Sequence, residues 1–448
     1  MNPPKPPSRP ERVSLWRYMK LFREDILSAQ PAKLYRAWMA EFKTPFFRSY
    51  LANDPELVKR VLKDRPDDFP KSDRIGAGLR PLLGNSVFLT NGETWKRQRR
   101  IIDPAFEGGR LRDAYGAMYS AGEAAVARMA ANLGVQDIEP ETSHAAADVI
   151  FRTLFSIPIE DETATAVFEK FRDHQRTQPI LNLRAFIPGP RWMPRFFSRA
   201  TKDTAADIRR LITDLTEARM FDIDAGTAPD DLATKIMTTP DPQTGQTFTT
   251  EEMVDQVAIF FLAGHETSAS ALAWTLYLLA MHPEWQDKLA QEAEALTADF
   301  ASVSKLRLTR DVFREGLRLY PPVPMMVRET TCPETMRKRR APKGSQIVLS
   351  PWHLHRHERL WDNPDGFDPT RWGTENGKQC QRDAYIPFSS GPRVCTGAGF
   401  AMVEGVLLLA MLLRRFRFDV TDQVPIPVAH LTVRAKNGIW LNVSERQG

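Results

Sequence analysis

Cys395 lies in the stretch Phe388-Ser389-Ser390-Gly391-Pro392-Arg393-Val394-Cys395-Thr396-Gly397-Ala398-Gly399, ahead of an apolar run from Phe400 to Leu413 broken only by Glu404 and Gly405. A turn feeding such a run puts Cys395 at or just before a helix start. Unpaired backbone N–H groups and the positive dipole end favour a thiolate there. Gly391, Gly397 and Gly399 leave room for backbone to approach something flat and bulky, and Arg393 adds positive charge beside it. A soft, shielded thiolate suits a transition metal, haem iron among the possibilities. The alternative is a buried structural cysteine at a glycine-rich helix entry.

Other constellations need a similar weighing. Glu266 and Thr267 interrupt a long apolar segment that opens at a capping-type Thr249-Thr250-Glu251-Glu252. A carboxylate and a hydroxyl buried mid-helix are costly without partners or a task, and Gly264 beside them weakens the helix. The competing reading has Thr267 bonded back to its own helix and Glu266 on the solvent side. His265 reads as a packing residue. Ile259, Ala263 and Thr267 share one helix face, with Leu262 and Phe260 flanking it. Glu315 and Arg318 stand one helical turn apart and could pair, as many exposed residues do without consequence. Trp95 and Arg99 share a face of a basic helix. His353, His355 and His357 alternate as zinc ligands on a strand would, but no fourth ligand is nearby.

Taken together, and in their order along the chain, the Trp95 helix, Ala263 to Ser268, Glu315-x-x-Arg318, Phe367-Asp368-Pro369-Thr370-Arg371-Trp372 and the Phe388-x-x-Gly391-x-Arg393-x-Cys395-x-Gly397 string resemble the cytochrome P450 monooxygenases. The resemblance runs from about Trp95 to the C-terminus. It implies haem b with Cys395 as axial iron ligand, and a haem contact surface including Phe388, Gly391, Arg393, Gly397 and Ala263. Trp95, Arg99 and Arg328 would hold the haem propionates. Thr267 would steady dioxygen while Glu266 helps deliver protons. Glu315, Arg318 and Arg371 would form a buried structural charge network. Arg191 to Phe197, near Pro179, Pro188, Pro190 and Pro194, would be a lid over the substrate entrance. Ile75, Leu79, Leu82, Leu83, Ile259, Leu262, Ala263, Val323 and Met325 are the expected lining for a small hydrophobic substrate such as a terpenoid, fatty acyl chain or aromatic. Lys96, Arg97, Arg100, Arg337 to Arg340 and Arg393 would face an acidic electron donor, a ferredoxin with its NAD(P)H reductase. Rival expectations are a peroxide-driven peroxygenase or non-oxidative haem enzyme on the same fold, and a non-catalytic haem sensor or carrier.

The elements that must position these residues are mostly helical. Helical spacing predicts helices over 55–63, 92–102, 110–133, 141–155, 201–222, 251–281, 284–296 and 312–319, with strands over 46–52, 345–350 and 438–443. The fold expected is mainly α, a cytochrome P450 fold with a large helix-rich and a small β-rich region. Haem would lie between the long central helix and the cysteine-bearing helix. With 448 residues, 42% hydrophobic, and no linker or repeat, one domain over 1–448 is expected, its first ten residues a flexible proline-rich tail. A net charge of +5 is too mild for nucleic acid, and three cysteines are too few for a disulfide scaffold. The basic, proline-rich N-terminus lacks the apolar core of a signal peptide or anchor. A cytoplasmic monomer is therefore expected.

Overall fold

The computed structural model describes residues 2–43, 48–107, 109–177, 199–429 and 431–446. Its axis is one helix, Thr250–Ala280, that begins at a reciprocal capping box: Thr249 caps the Glu252 N–H while Glu252 bonds the Thr249 N–H. An almost wholly apolar helix has no solvent face to offer and must be surrounded. Helices Glu139–Phe155, Arg199–Ala225, Arg307–Leu319 and Ala398–Arg415 pack around it. Gly264 sits where a Cβ would collide with Ile150 of the Glu139–Phe155 helix, so close helix approach accounts for this glycine.

The sheets are small. Met39–Lys43, Arg48–Ala52, Gln346–Leu349 and Met326–Glu329 form one sheet in that spatial order, with Arg48–Ala52 and Gln346–Leu349 parallel. Gly134–Asp137, Trp440–Glu445 and Phe416–Val420 form a second, and Pro427–Ala429 pairs with Val433–Ala435 as a hairpin. Mainly helical architecture with minor sheet agrees with the sequence expectation. The helices Gly92–Ile102, Arg110–Ala130, Glu139–Phe155 and Thr250–Ala280 lie where the spacing put them. The helix expected from Val312 starts earlier, at Arg307. Helices Leu15–Glu24, Asp73–Leu83 and Glu162–Thr177 went unpredicted. Two glycines and Pro81 masked the periodicity of Asp73–Leu83.

The N-terminal residues are not the free tail expected. Pro3 and Pro6 are buried, Lys5 pairs with Asp365 at 2.5 Å, the Tyr320 hydroxyl donates to the Pro4 carbonyl, and Arg9 Nε donates to the Ala29 carbonyl. Proline fixes φ and so lowers the entropy lost when such an arm settles on the surface. The proposed lid, Arg191 to Phe197 with Pro179, Pro188, Pro190 and Pro194, lies outside the described residues. No helix among the described residues is long and apolar enough to cross a membrane.

Candidate active site

The central helix and the Ala398–Arg415 helix enclose, with several loops, a mostly apolar cavity of about 1160 Å³. That exceeds the roughly 300–1,000 Å³ of an ordinary small-molecule pocket. Cys395 stands on its wall. The loop before it is drawn tight by the Cys395 N–H donating to the Phe388 carbonyl at 2.9 Å. The helix itself starts three residues later, at Ala398. Cys395 has exposed surface, but that surface belongs to the cavity. Burial pushes its thiol up, while the Gly397 N–H and the Arg99 charge pull in the opposite direction. The helix start alone therefore does not make the thiolate the sequence led us to expect; a metal cation bonded to the sulfur would.

Of the three glycines, only Gly397 faces the cavity. Gly391 has φ +71° and presses against the Leu62 carbonyl, where a Cβ would collide with backbone. It serves the fit of the cysteine loop onto Arg60–Asp64, so its expected place on the cofactor face is corrected. Gly399 packs toward Leu111.

Cations gather around Trp95 on the cavity wall. Trp95, Arg99, Arg328, Arg393 and Lys71 all line it. The Trp95 ring has Arg393 at 4.9 Å, Arg99 at 5.7 Å and Lys71 at 5.7 Å from its centroid. Burial lowers Arg328 to about 10, with Arg393 adding to the shift. Burial also lowers Lys71 well below its ordinary range, followed by the charges of Arg328, Arg393 and Arg99. Asp103 offsets Arg99 at 2.7 Å, and Asp67 lies 3.6 Å from Arg393. The Nε atoms of Arg328 and Arg393 are buried without partners among the described residues. So many like charges, buried or half-buried on one wall, ask for an anion. Two carboxylates of a flat cofactor beside Cys395 would meet that demand, and in this respect the residues fit haem. Lys71 was absent from the sequence reading because nothing near it in the chain marks it; its neighbours arrive only by folding.

Thr267, Ser268, Ile259, Phe260, Ala263 and Gly264 bring the central helix to the cavity wall. The Thr267 hydroxyl donates back to the Ala263 carbonyl at 2.5 Å, the competing arrangement weighed above, while still lining the cavity. Glu266 departs from expectation. It is 5% exposed and lies off the cavity wall: Oε2 accepts from the Thr432 hydroxyl at 3.2 Å, and Oε1 lies 3.3 Å from Arg434. Successive helical residues diverge by about 100°, so Glu266 cannot share the direction of Thr267. Burial raises its carboxyl, with Arg434 and Thr432 opposing. His265 also faces elsewhere, its Nε2 2.6 Å from the Ser143 hydroxyl.

Ile75, Leu79, Val323, Met325 and Phe388 line the cavity as expected. Leu82, Leu83 and Leu262 do not; they are spent in the surrounding core, being on other faces of their helices.

Glu315 accepts from Arg318 Nη2 at 2.8 Å and Nε at 2.9 Å, and from Arg371 Nε at 2.9 Å, all three residues being buried. The histidines do not converge on a metal. His355 Nε2 accepts from the Ile386 N–H at 2.9 Å, His353 meets the Ser350 hydroxyl at 2.8 Å, and His357 stacks on Trp38. The basic residues meant for an electron donor are largely committed: Arg97 to Glu252, Arg100 to Asp241, Arg337 to Asp54, with Arg393 turned inward.

A family model described as Cytochrome P450 matches residues 10–441. The chain is 32% identical over 422 residues to a cyclooctat-9-en-7-ol 5-monooxygenase of Streptomyces melanosporofaciens, covering 90% of this chain and 86% of that protein. It is 31% identical over 418 residues to cytochrome P450 4A11 of Homo sapiens, covering 87% and 78% respectively. Among solved structures, the haem domain of cytochrome P450DA superposes with a TM-score of 0.81 at 24% identity over 99% of this chain and 98% of that one, a likeness of fold.

Proposed function

The chain belongs to the cytochrome P450 family, whose members with this resemblance are monooxygenases, and from that premise we propose that Cys395 ligates haem b in a single-domain, monomeric hydroxylase of a hydrophobic organic compound. Haem iron with a thiolate ligand supplies dioxygen activation with two external electrons, and this ligand type favours O–O cleavage. The observation that carries the reading is Cys395 on the wall of an apolar cavity that is also lined by the cations Lys71, Arg328 and Arg393.

The chain's own residues divide the work. Trp95, Arg99, Arg328, Arg393 and Lys71 would hold the two propionates. Ile75, Leu79, Ile259, Val323, Met325 and Leu431 would exclude water and orient the substrate. The Thr267 hydroxyl, held by the Ala263 carbonyl, is placed to present its oxygen to the cavity. A terpenoid, fatty acyl chain or aromatic suits such a wall; the Streptomyces relative is named for a cyclooctatenol. Electrons would come from a separate donor, a ferredoxin with its NAD(P)H reductase. Lys96 and neighbouring surface contribute less steering than the sequence suggested.

The deciding measurement is the carbon monoxide difference spectrum of the reduced protein and of Cys395→Ser. A red-shifted Soret band that the substitution abolishes is expected. A band unchanged by the substitution, or no haem band in the wild type, overturns the assignment. Turnover with hydrogen peroxide and no electron donor would identify the peroxide-driven alternative.

A further inference from the structure

Among the described residues, eight Lys and Arg side chains line the cavity, against the acids Glu11 and Glu404. Lys71, Arg99, Arg328 and Arg393 belong to the Trp95 cluster, but Arg9 does not. The four-stranded sheet shows how far away it lies. Arg328 pairs with Ile347, Ile347 with Tyr50, and Tyr50 with Glu41, the neighbour of Phe42, so this row crosses from one edge strand to the other. Three strand spacings of about 4.8 Å make roughly 14 Å. The Arg328 edge is the one beside the cysteine loop: Lys71 bridges to Arg328 and shares Trp95 with Arg99, which donates to the Val394 carbonyl. Arg9 marks the opposite edge, 5.9 Å from the Phe42 ring centroid and 5.5 Å from that of Tyr18. Phe42, Ser49, Leu51, Gln346 and Val348 share the sheet face between these edges, and all line the cavity.

Arg9 is half-buried and fixed in place. Its backbone N–H donates to the Gln30 carbonyl at 3.1 Å and its Nε to the Ala29 carbonyl at 2.6 Å. Nη1 donates to the carbonyls of Pro10 at 2.7 Å and Glu11 at 3.0 Å. Nη2 has no hydrogen-bond partner among the described residues, and no carboxylate among them pairs with this guanidinium. The Glu11 carboxylate lies 4.0 Å from Lys33 instead. Carbonyls explain where Arg9 is held; they leave its charge unanswered.

We infer that Arg9 is a specificity-determining residue that receives the carboxylate of an amphipathic acid substrate, whose apolar body lies along the sheet face toward Cys395. The inference rests on the monooxygenase reading and narrows its substrate class. The Nη2 N–H groups donate to the carboxylate, a charge-assisted bond between the Tyr18 and Phe42 rings, whose centroids are 6.0 Å apart. Leu51 and Val348 cover the apolar body, while Arg12 and Lys43, also on the cavity wall, add positive field near the acid end. The Trp95 cluster does not compete for this carboxylate once the propionates of the bound cofactor occupy it. With the acid held at one sheet edge, the carbons that reach the cysteine side are those remote from it. The N-terminal arm thereby becomes part of substrate recognition. Its fastening through Lys5 to Asp365 and through the Pro4 carbonyl to Tyr320 sets Arg9 in position before the substrate arrives.

Titration calorimetry of the haem-loaded protein with hexadecanoate and with hexadecan-1-ol tests this. Wild type should bind the acid more tightly than the alcohol by about tenfold or more, and added salt should narrow the gap. Arg9→Gln should bring the ratio close to one while leaving the affinity for the alcohol within about twofold. Arg9→Lys, which keeps the charge but not the guanidinium, should retain part of the preference. A wild type that does not prefer the acid, or an Arg9→Gln variant that still does, overturns the inference. So does an equal loss for acid and alcohol, the result expected of a residue that merely holds the wall together. If Arg9→Gln fails to load haem, the salt dependence of the wild-type ratio and its partial fall in Arg9→Lys decide, and no change in either refutes the assignment. Failure of the monooxygenase reading would look different: the ratio needs no turnover, whereas that failure would leave bound ligand unoxidised when an electron donor is supplied.

Discussion

Glu315→Gln is the sharpest test of how the Arg307–Leu319 helix is tied to the 355–371 segment. Glu315 accepts four hydrogen bonds, two from Arg318, one from Arg371 and one from the Asp368 N–H. The two guanidiniums are also bonded to carbonyls of His355, Pro364, Gly366, Asp362 and Asn363, so neither can leave with its charge. An amide in place of the carboxylate can keep Oε1 with its three donors. Its NH₂ must then face Arg318 Nε–H, donor against donor, and both cations remain buried without a counter-charge. Breaking a buried pair in this way costs about 3–5 kcal/mol. Against a native stability of about 5–15 kcal/mol, that lowers the folded-to-unfolded ratio by roughly two to four decades. The assay is urea unfolding of the haem-loaded protein followed in parallel by Soret loss and tryptophan fluorescence. Trp361 is a local reporter, since Arg318 and Arg371 lie 5.3 and 5.9 Å from its ring centroid. In the double variant with Arg371→Met, the costs should be non-additive by more than about 1 kcal/mol. A single-variant loss below about 1 kcal/mol, or strict additivity, would refute the account.

Acid stability should be governed by buried neutral histidines. Burial lowers His265, His353 and His355 to about 3 each, below the unfolded value near 6.5, so the unfolded chain binds more protons between those limits. Stability is full above about pH 6.5 and falls as pH drops toward 3, each histidine contributing up to about 1.4 kcal/mol per pH unit. Unfolding midpoints measured from pH 7 to 4 should be flatter for His353→Gln than for wild type. Lys71→Met should act with opposite signs on two states: apo-protein Tm rises as repulsion with Arg328, Arg393 and Arg99 is relieved, while haem transfer to apomyoglobin speeds up by about tenfold. Gly391→Ala combines a left-handed backbone cost of roughly 1–2 kcal/mol with collision against the Leu62 carbonyl, and should lower the yield of haem-loaded protein measured by Soret absorbance per milligram.

Legibility in the sequence followed locality. Cys395 announced itself because its turn, charge and helix are contiguous, and the capping box at Thr249 and Glu252 is written within four residues. The Glu315–Arg318 pair was visible but ambiguous until Arg371 arrived from 53 or more residues away to saturate it. Glu266 misled because identity and neighbourhood say nothing about rotation: one step around the helix separates a residue facing the cavity from one facing Arg434. Glu404 was visible as an interruption of an apolar run, yet its partner, the Ser268 hydroxyl 2.6 Å away, comes from another helix. Lys71 had no local signal, since its character comes from Arg328 and Arg393, which are remote in the chain.

The wall of the cavity is drawn from Arg9 through Leu431, almost the whole polypeptide. On the ribosome, such a chamber cannot be closed by any early fragment. At about 5–20 residues per second, the stretch from Cys395 to Leu431 takes roughly 2–7 s to make. Through that interval the thiol and the cation cluster already exist, while the hairpin that finishes the wall does not. The cofactor chamber is therefore among the last features of the polypeptide to be completed, although its cysteine and cations are made earlier.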